Sequence, residues 1–276
     1  MPELPEVETV RRSLLQVLPQ KKIEAVEIIT PGILALGNAA AFGALAGSEI
    51  TDIGRRGKYL MLHFGGGRMC VVHLRMTGKL LYRGQSEPLQ KHDHVRFGFA
   101  DGSELVYNDT RRFGRFWLCS EGDISQVSGL ATLGAEPLDD DFSVDYWQRQ
   151  TARRRNARIK AVLLDQQVVA GLGNIYADEV LFRAGVHPER RTGSLTEEEN
   201  VRLAAAMRDI LQDAISKRGT TFRDYVDGNN QRGSYQEHLQ VFQKAGQQCP
   251  RCGATIERIR VAGRSSCFCP QCQQPE

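Results

Sequence analysis

Met1-Pro2-Glu3 opens a chain of 276 residues, and these positions could carry covalent chemistry. Proline at position 2 is small enough for Met1 to be trimmed, which leaves Pro2 with a free secondary amine. An α-amino group has a pKa of ~7.7–8 against ~10.4 for a lysine, so far more of it is neutral and nucleophilic at neutral pH. A secondary amine that attacks a sugar or carbonyl carbon forms an iminium, a covalent electron sink. Glu3 lies one residue away, within reach if both face one cleft. Taken alone, these residues fit a proline-stiffened tail as well.

The sharpest motif lies at the other end. Cys249-Pro250-Arg251-Cys252 and Cys269-Pro270-Gln271-Cys272 are two C-x2-C knuckles sixteen residues apart. Such paired knuckles close a tetrahedral site of four thiolates around one Zn²⁺. Four thiolates leave no open coordination position, so that zinc is structural. A redox dithiol pair is the alternative. Cys267 is a bystander two residues before a ligand. Between the knuckles, IERIRVAGRSSCF predicts a β-hairpin with Gly263-Arg264 at its tip, suited to phosphate contact.

Four further patterns bear on polyanion binding. Val169–Tyr176 (VAGLGNIY) joins two helical runs through a glycine-dense turn. The helix start after it offers free N–H groups to a phosphate, although tight helix packing explains the glycines equally. Arg153, Arg154, Arg155, Arg158 and Lys160 are either a solvated helix face or a backbone clamp. Arginines interleave with phenylalanines from Asn108 to Phe116, a pattern for base contact and wedging or for a strand with alternating faces. Lys58 enters a strand from a glycine turn and by itself reads as a surface lysine. His92 and His94 are spaced like a metal pair, but no further ligand accompanies them.

These residues need a scaffold. Val7, Val10, Leu14 and Leu18 repeat at helical spacing, so a helix follows the N-terminal amine directly and would fix it in space. From 22 to 120 the chain is a succession of short β-prone runs separated by glycine and Asp-Gly turns, which predicts a β-sandwich or flattened barrel with a short helix near 38–46. Loop-like residues 121–140 mark a boundary. From 143 the texture is helical, and Ser194-Leu195-Thr196-Glu197 reads as a capping box opening the last helix, which Gly219 ends. Residues 219–237 are polar and glycine-punctuated, a candidate lid over a site. A strand-like run at 238–246 precedes the cysteine module. The predicted domains are 1–135, 136–236 and 237–276, a multidomain α and β protein.

Composition supports a globular chain, at 41% hydrophobic and 25% charged residues. Net charge is +3, divided unevenly: residues 151–276 carry 19 Lys and Arg against 14 Asp and Glu, leaving the first 150 residues at −2. The C-terminal half is therefore the better place for a polyanion to dock. No run approaches the ~18–20 apolar residues of a membrane span, and no signal layout opens the chain, so a cytoplasmic location is expected. In that compartment clustered cysteines argue for metal before disulfides.

PELPEVETVRR, RRGKYL, KHDHV, DTRRFG, VVAGLGNIY and the two cysteine knuckles occur in this order from residue 2 to residue 272. Together they resemble the bacterial formamidopyrimidine-DNA glycosylases (8-oxoguanine DNA glycosylases). The resemblance implies an N-terminal β-sandwich with flanking helices, a helix-two-turn-helix domain and a zinc finger, with DNA in the cleft between. It implies a bifunctional repair enzyme that removes oxidised purines through a Pro2 iminium and then cuts the strand by β,δ-elimination. Glu3 would protonate the opening sugar, Lys58 would assist β-elimination or grip the adjacent phosphate, and Arg264 would serve δ-elimination. Asn174, His92 and Arg155 (rather than Arg154) would contact DNA. Met76, Arg111 and Phe113 would fill the hole left by the extruded base. The implied partner is double-stranded DNA with an oxidised base or abasic site, bound by a monomer working on the bacterial nucleoid. Besides zinc, no cofactor is implied. The nearest rival is an endonuclease VIII-like glycosylase for oxidised pyrimidines. A rival of another class is a zinc-ribbon DNA-binding protein without catalysis, which would bind abasic DNA without cutting it; a structural or RNA-binding ribosome-associated protein fits the zinc ribbon but leaves Pro2-Glu3 unexplained.

Overall fold

The computed structural model describes residues 1–222 and 225–275. Contacts divide the chain into two units, residues 1–131 with 217–236 and residues 132–216 with 237–276. Residues 217–236, grouped with the helices on sequence, pack in the first unit.

The first unit begins with helix α1 (Leu4–Leu15). The strands that follow are β1 (Ile23–Ile28), β2 (Leu34–Leu36), β3 (Ile50–Arg56), β4 (Tyr59–Phe64), β5 (Arg68–His73), β6 (Lys79–Arg83), β7 (Asp93–Phe99), β8 (Glu104–Asn108) and β9 (Arg115–Ser120). Helix α2 (Ala39–Gly43) interrupts them, and the Asn38 side chain caps it by accepting the Ala41 N–H. One sheet has the order β1-β7-β8-β6, and the other β2-β9-β5-β4-β3. Sequence reading missed β2 and β3. The first is three residues long, and the second (ITDIGRR) lacks clean alternation because its last residues meet charged partners.

Both sheets bury one face in a common core of Ile53, Leu60, Leu62, Val72, Phe97, Leu105 and Phe116, with Val7, Val10 and Leu14 of α1 added to it. Phe64 and Phe97 stack across it at 6.4 Å. Period-two alternation encodes this arrangement directly, since successive side chains point to opposite faces. The β-sandwich expectation holds.

The second unit contains α3 (Val144–Ala152), α4 (Ile159–Leu164), α5 (Asn174–Ala184) and α6 (Glu197–Ser216), then the hairpin β10 (Glu257–Val261) and β11 (Arg264–Phe268). Two local expectations are corrected. The capping box of α6 is Thr196 with Glu199, two residues later than Ser194 with Glu197: Thr196 Oγ1 accepts the Glu199 N–H at 3.2 Å, and Glu199 accepts the Thr196 N–H at 2.9 Å. Residues 238–246 form turns rather than a strand, because the backbone N–H groups of Gln240, Val241 and Phe242 all donate to the buried Glu179 carboxylate at 2.8–3.0 Å. Among the described residues no helix is long and apolar enough to cross a membrane.

Candidate active site and nucleic-acid surfaces

Pro2 and Glu3 are buried at the start of α1. Glu3 is the helix N-cap and shares a reciprocal capping box with Glu6, whose Oε2 accepts the Glu3 N–H at 2.8 Å. Pro5 fits the first turn because its missing N–H has no helical partner to lose. Glu6 was missed on sequence, because Glu-x-x-Glu falls outside the Ser/Thr/Asp/Asn-x-x-Glu signature of a capping box. Its Oε1 also accepts the Thr220 N–H at 2.7 Å, and its carbonyl accepts the Tyr225 hydroxyl at 3.1 Å. Gly219 is required here, with φ +73° and a would-be Cβ only 2.7 Å from Glu6 Oε1. Residues 217–236 are thus strapped to α1, with Gly228 donating to Ser13 Oγ at 2.9 Å. Arg223 and Asp224, within the candidate lid, lie outside the described residues. Met1 is exposed, and Pro2 gains its amine when Met1 is removed.

Lys58 sits in the two-residue turn Gly57-Lys58 between β3 and β4, with Gly57 at φ +56°. It is 6% exposed, not the surface lysine that its local sequence resembles. A chain of charges links this turn to α1: Arg55 donates to the Gly57 carbonyl (3.1 Å) and to Glu8 (3.0 Å), and Glu8 also accepts from Arg11 and Arg12. Burial alone would raise the Glu8 pKa, but the three arginines outweigh it and hold the group at about 2. His73 pairs with Tyr59, the residue after Lys58, in the β4–β5 ladder. Burial, then the charges of Arg75 and Lys58, depress it to about 3, so it is neutral. Its Nδ1 accepts the Arg75 N–H at 3.0 Å, and its ring meets Tyr59 edge-on at 4.7 Å.

Met76 occupies the turn between β5 and β6; Arg111 and Phe113 occupy the turn between β8 and β9. The Arg/Phe run is therefore a turn rather than an alternating strand. All three side chains are exposed, and the Arg111 guanidinium lies 4.5 Å from the Phe113 ring centre. His92, at φ +77° just ahead of β7, accepts the Asp109 N–H on its carbonyl at 3.0 Å. Pro2, Glu3, Lys58, Met76, His92, Arg111 and Phe113 all belong to the first unit.

In the second unit Arg154, in the turn after α3, folds back on that helix and donates to Gln150 Oε1 at 2.8 Å, while the neighbouring Arg155 is exposed. Asn174 opens α5 after the glycine turn, which Gln166 closes by accepting from Gly171 (3.0 Å) and donating to the Leu172 carbonyl (2.7 Å). Asn174 Oδ1 is buried and has no hydrogen-bond partner among the described residues. Its Nδ2 donates to the Ser265 carbonyl at 3.0 Å, and so does the fully buried Lys160 at 2.7 Å. Lys160 also donates to Asp178 at 2.7 Å, and Asp178 accepts the Ser266 hydroxyl and the Cys267 N–H. Burial pushes Asp178 up against the pull of Lys160. This ion pair, whose lysine the sequence reading placed in a basic run, clamps the three residues after Arg264. Arg264 itself is exposed and begins β11; the two-residue turn is Ala262-Gly263, with φ +49° and +74°.

The four knuckle cysteines fit zinc. Their sulfurs lie within 4.8 Å of one another, with Cys249–Cys272 at 3.9 Å, Cys252–Cys272 at 3.6 Å and Cys252–Cys269 at 3.4 Å. A tetrahedron with Zn–S of ~2.3 Å has edges of about 3.8 Å. Backbone N–H groups of Arg251 and Cys272 point at the Cys249 and Cys269 sulfurs, at 3.4 and 3.5 Å. Cys267 stands outside this cluster and packs with Phe182, Val241 and Ile256.

Pro2 and Glu3 buried at the head of a helix, arginines on exposed turns and a four-cysteine site that fits zinc are what the sequence led one to expect of an enzyme acting on nucleic-acid sugars. Family models match in chain order: the formamidopyrimidine-DNA glycosylase N-terminal domain over residues 1–116, the H2TH domain of the same glycosylase over 133–225, and the zinc finger found in FPG and IleRS over 246–275. The formamidopyrimidine-DNA glycosylase of Pelotomaculum thermopropionicum is 48% identical over 99% of both chains, and that of Moorella thermoacetica 50% over 94% of this chain and 95% of its own. A Lactococcus lactis FPG variant in complex with Fapy-dG-containing DNA superposes with a TM-score of 0.93 at 41% identity, covering 99% of this chain and all of that one. The chain belongs to the formamidopyrimidine-DNA glycosylase family.

Proposed function

We propose that the chain is a base-excision repair enzyme, a DNA glycosylase and abasic-site lyase that removes oxidised purines from double-stranded DNA. With Met1 removed, the Pro2 nitrogen attacks C1′ of the damaged nucleotide. The glycosidic bond breaks, the oxidised base departs, and Pro2 is left joined to the sugar as an iminium. Glu3 protonates the opening sugar. Loss of a C2′ proton then expels the 3′ phosphate, with Lys58 at the reacting end, and a second elimination, assigned to Arg264, releases the 5′ phosphate. A base within the stack cannot be reached in this way, so it must be extruded, at a few kcal/mol of unstacking. Met76 and Phe113 offset part of that by filling the gap, and Arg111 bonds the orphaned partner base. His92, Arg155 and Asn174 bind the backbone. The zinc holds the finger and takes no step.

The observation that carries this reading is the burial of Pro2 and Glu3 at the start of a helix locked by Glu6, which a loose tail would not show. Complexes of Lactococcus lactis FPG with DNA containing an abasic site and with DNA containing an oxidised pyrimidine are also structural neighbours, each with a TM-score of 0.92. Substrate preference is therefore tested with both base classes. The protein, with Met1 removal verified by mass, is incubated with an 8-oxoguanine·cytosine duplex and reduced with borohydride. A covalent adduct mapping to Pro2 is expected. Tight binding without an adduct would mean a non-catalytic protein, and an adduct only with thymine glycol would mean the pyrimidine branch.

Residues 219–237 cover the extruded base in this reading. Unchanged 8-oxoguanine excision after deletion of residues 223–232 would sink that assignment. In this reading the reaction runs in the bacterial cytoplasm, on nucleoid DNA.

A further inference from the structure

One fully buried carboxylate joins the two turns that carry Met76, Arg111 and Phe113. Asp109 follows β8 directly. Its Oδ1 accepts the Thr77 hydroxyl from the β5–β6 turn and the Arg111 N–H (3.1 Å) from the β8–β9 turn. Its Oδ2 accepts the Tyr107 hydroxyl (2.9 Å) and the Gly114 N–H (3.0 Å). Its backbone is held too, by His94 Nε2 on its carbonyl (2.8 Å) and by the His92 carbonyl on its N–H (3.0 Å). The Tyr107 hydroxyl reaches this position only because Gly78 and Gly114 lack side chains: a Cβ on either would lie 2.4 or 1.6 Å from it. A carboxylate offers about four acceptor sites and no donor, so each site here is filled by a matched donor. Burial works to raise the Asp109 pKa, but these donors outweigh it and keep the group below its ordinary value.

The network supports side chains that gain little from folding. Met76 is 42% and Phe113 47% exposed, and both are large and apolar. Three of the four donors to the Asp109 carboxylate (Thr77, Arg111 and Gly114) belong to the turns and the fourth, Tyr107, to β8, whose ladders with β6 and β7 are paired through their own backbones.

We propose that Asp109 is a positioning residue for base extrusion: it fixes the β5–β6 and β8–β9 turns as one unit, so that Met76, Arg111 and Phe113 enter the gap together. This rests on the reading of those three as the gap-filling set. Two turns on separate loops would otherwise sample positions independently, and a wedge works only when held near its productive geometry.

Asp109→Asn is the decisive variant. In either orientation of the amide, its NH₂ faces a backbone N–H of Arg111 or Gly114, so one end of the β8–β9 turn is released at unchanged volume. Two assays separate positioning from folding: single-turnover excision of 8-oxoguanine from a duplex, and borohydride trapping on a single-stranded abasic oligonucleotide, which has no gap to fill. Duplex excision should fall roughly tenfold or more, with single-strand trapping held within about twofold, the loss expected when a buried charged acceptor leaves a donor unmatched. Preference for cytosine opposite the lesion should weaken, because Arg111 loses its fixed start. Thr77→Val and Tyr107→Phe each remove one donor and should lower duplex excision selectively by a smaller factor; they also carry the test if Asp109→Asn fails to melt cooperatively. Unchanged duplex excision, or an equal loss in both assays, overturns the proposal. Met76→Ala with Phe113→Ala probes the underlying reading alone: if duplex excision survives that pair, the gap-filling set is wrong whatever Asp109→Asn does.

Discussion

Asp109 and Asp178 each anchor an arginine-bearing surface from within, and they are built in opposite ways. Asp109 takes two hydroxyls and two backbone N–H groups, and its pKa is lowered. Asp178 takes an ammonium, a hydroxyl and one backbone N–H, and its pKa is raised. The difference follows from what surrounds them. The sandwich already buries a large core, so Asp109 needs only to set the geometry of two turns. The finger packs a much smaller cluster around Phe182, Val241, Ile256 and its cysteines. A module of that size rarely folds on apolar burial alone, so metal and a buried ion pair supply the rest. Arg111 is thus presented by the local chemistry of a turn, Arg264 by a metal-braced hairpin.

Removing zinc should show the contrast most strongly. Structural zinc is worth ~10–16 kcal/mol in small finger peptides. Chelation should therefore unfold residues 246–275, raising their amide exchange to that of free chain while the sandwich amides stay protected. Exchange rising equally in both units would mean they share one cooperative core. Next in size is Lys160→Met, which leaves Asp178 buried without its cation at a loss of ~3–5 kcal/mol; denaturant unfolding of the zinc-loaded protein would measure it, and Lys160→Met with Asp178→Leu should recover much of the loss. A smaller effect is expected for Gly114→Ala, whose Cβ meets the Tyr107 hydroxyl: overpacking of ~1–3 kcal/mol, read as a lower midpoint with an unchanged m-value.

Acidification should separate the two units in a final and gentler way. Glu8 is held at about 2, below its ordinary value of 4.5, so the folded state binds its proton less readily than the unfolded chain does. Its stabilisation is complete above pH ~4.5 and disappears as pH falls through about 2. Asp178 and Glu179 are shifted the other way, chiefly by burial, so their ionisation opposes folding at higher pH and lowering the pH relieves it. Sandwich amides should therefore lose protection before those of α5 as pH drops from 5 to 2. Earlier loss in α5 would contradict this assignment of signs.

Much of this molecule was legible in advance, because the relevant physics is local. Period-two runs become strands with one face buried, and β4 to β9 lie where alternation put them. Two C-x2-C knuckles favoured a metal over a redox dithiol pair, and the apolar helical repeat directly after Pro2-Glu3 gave those residues a rigid mount. One failure was also local, but finely balanced. The α6 cap lay two residues on, since Ser194 and Thr196 compete for one role and Glu199 decides in favour of the second.

Tertiary structure alone decided the partners of charged groups. Nothing near Lys58 in the chain marks it as buried; its turn is fixed by Arg55 and Glu8, 47 residues apart. Lys160 belongs to a basic run by composition and to a sealed ion pair by packing. Asp109 sits in an arginine-rich turn, and its connection to Thr77 exists only because β6 pairs with β8 and β5 with β9. Residue types and spacing thus determined which chemistry the chain carries, because side-chain period and ligand spacing are short-range properties. Where each charge ends up, and so which carboxylates act as anchors, depended on distant strands meeting, which only the folded core can arrange.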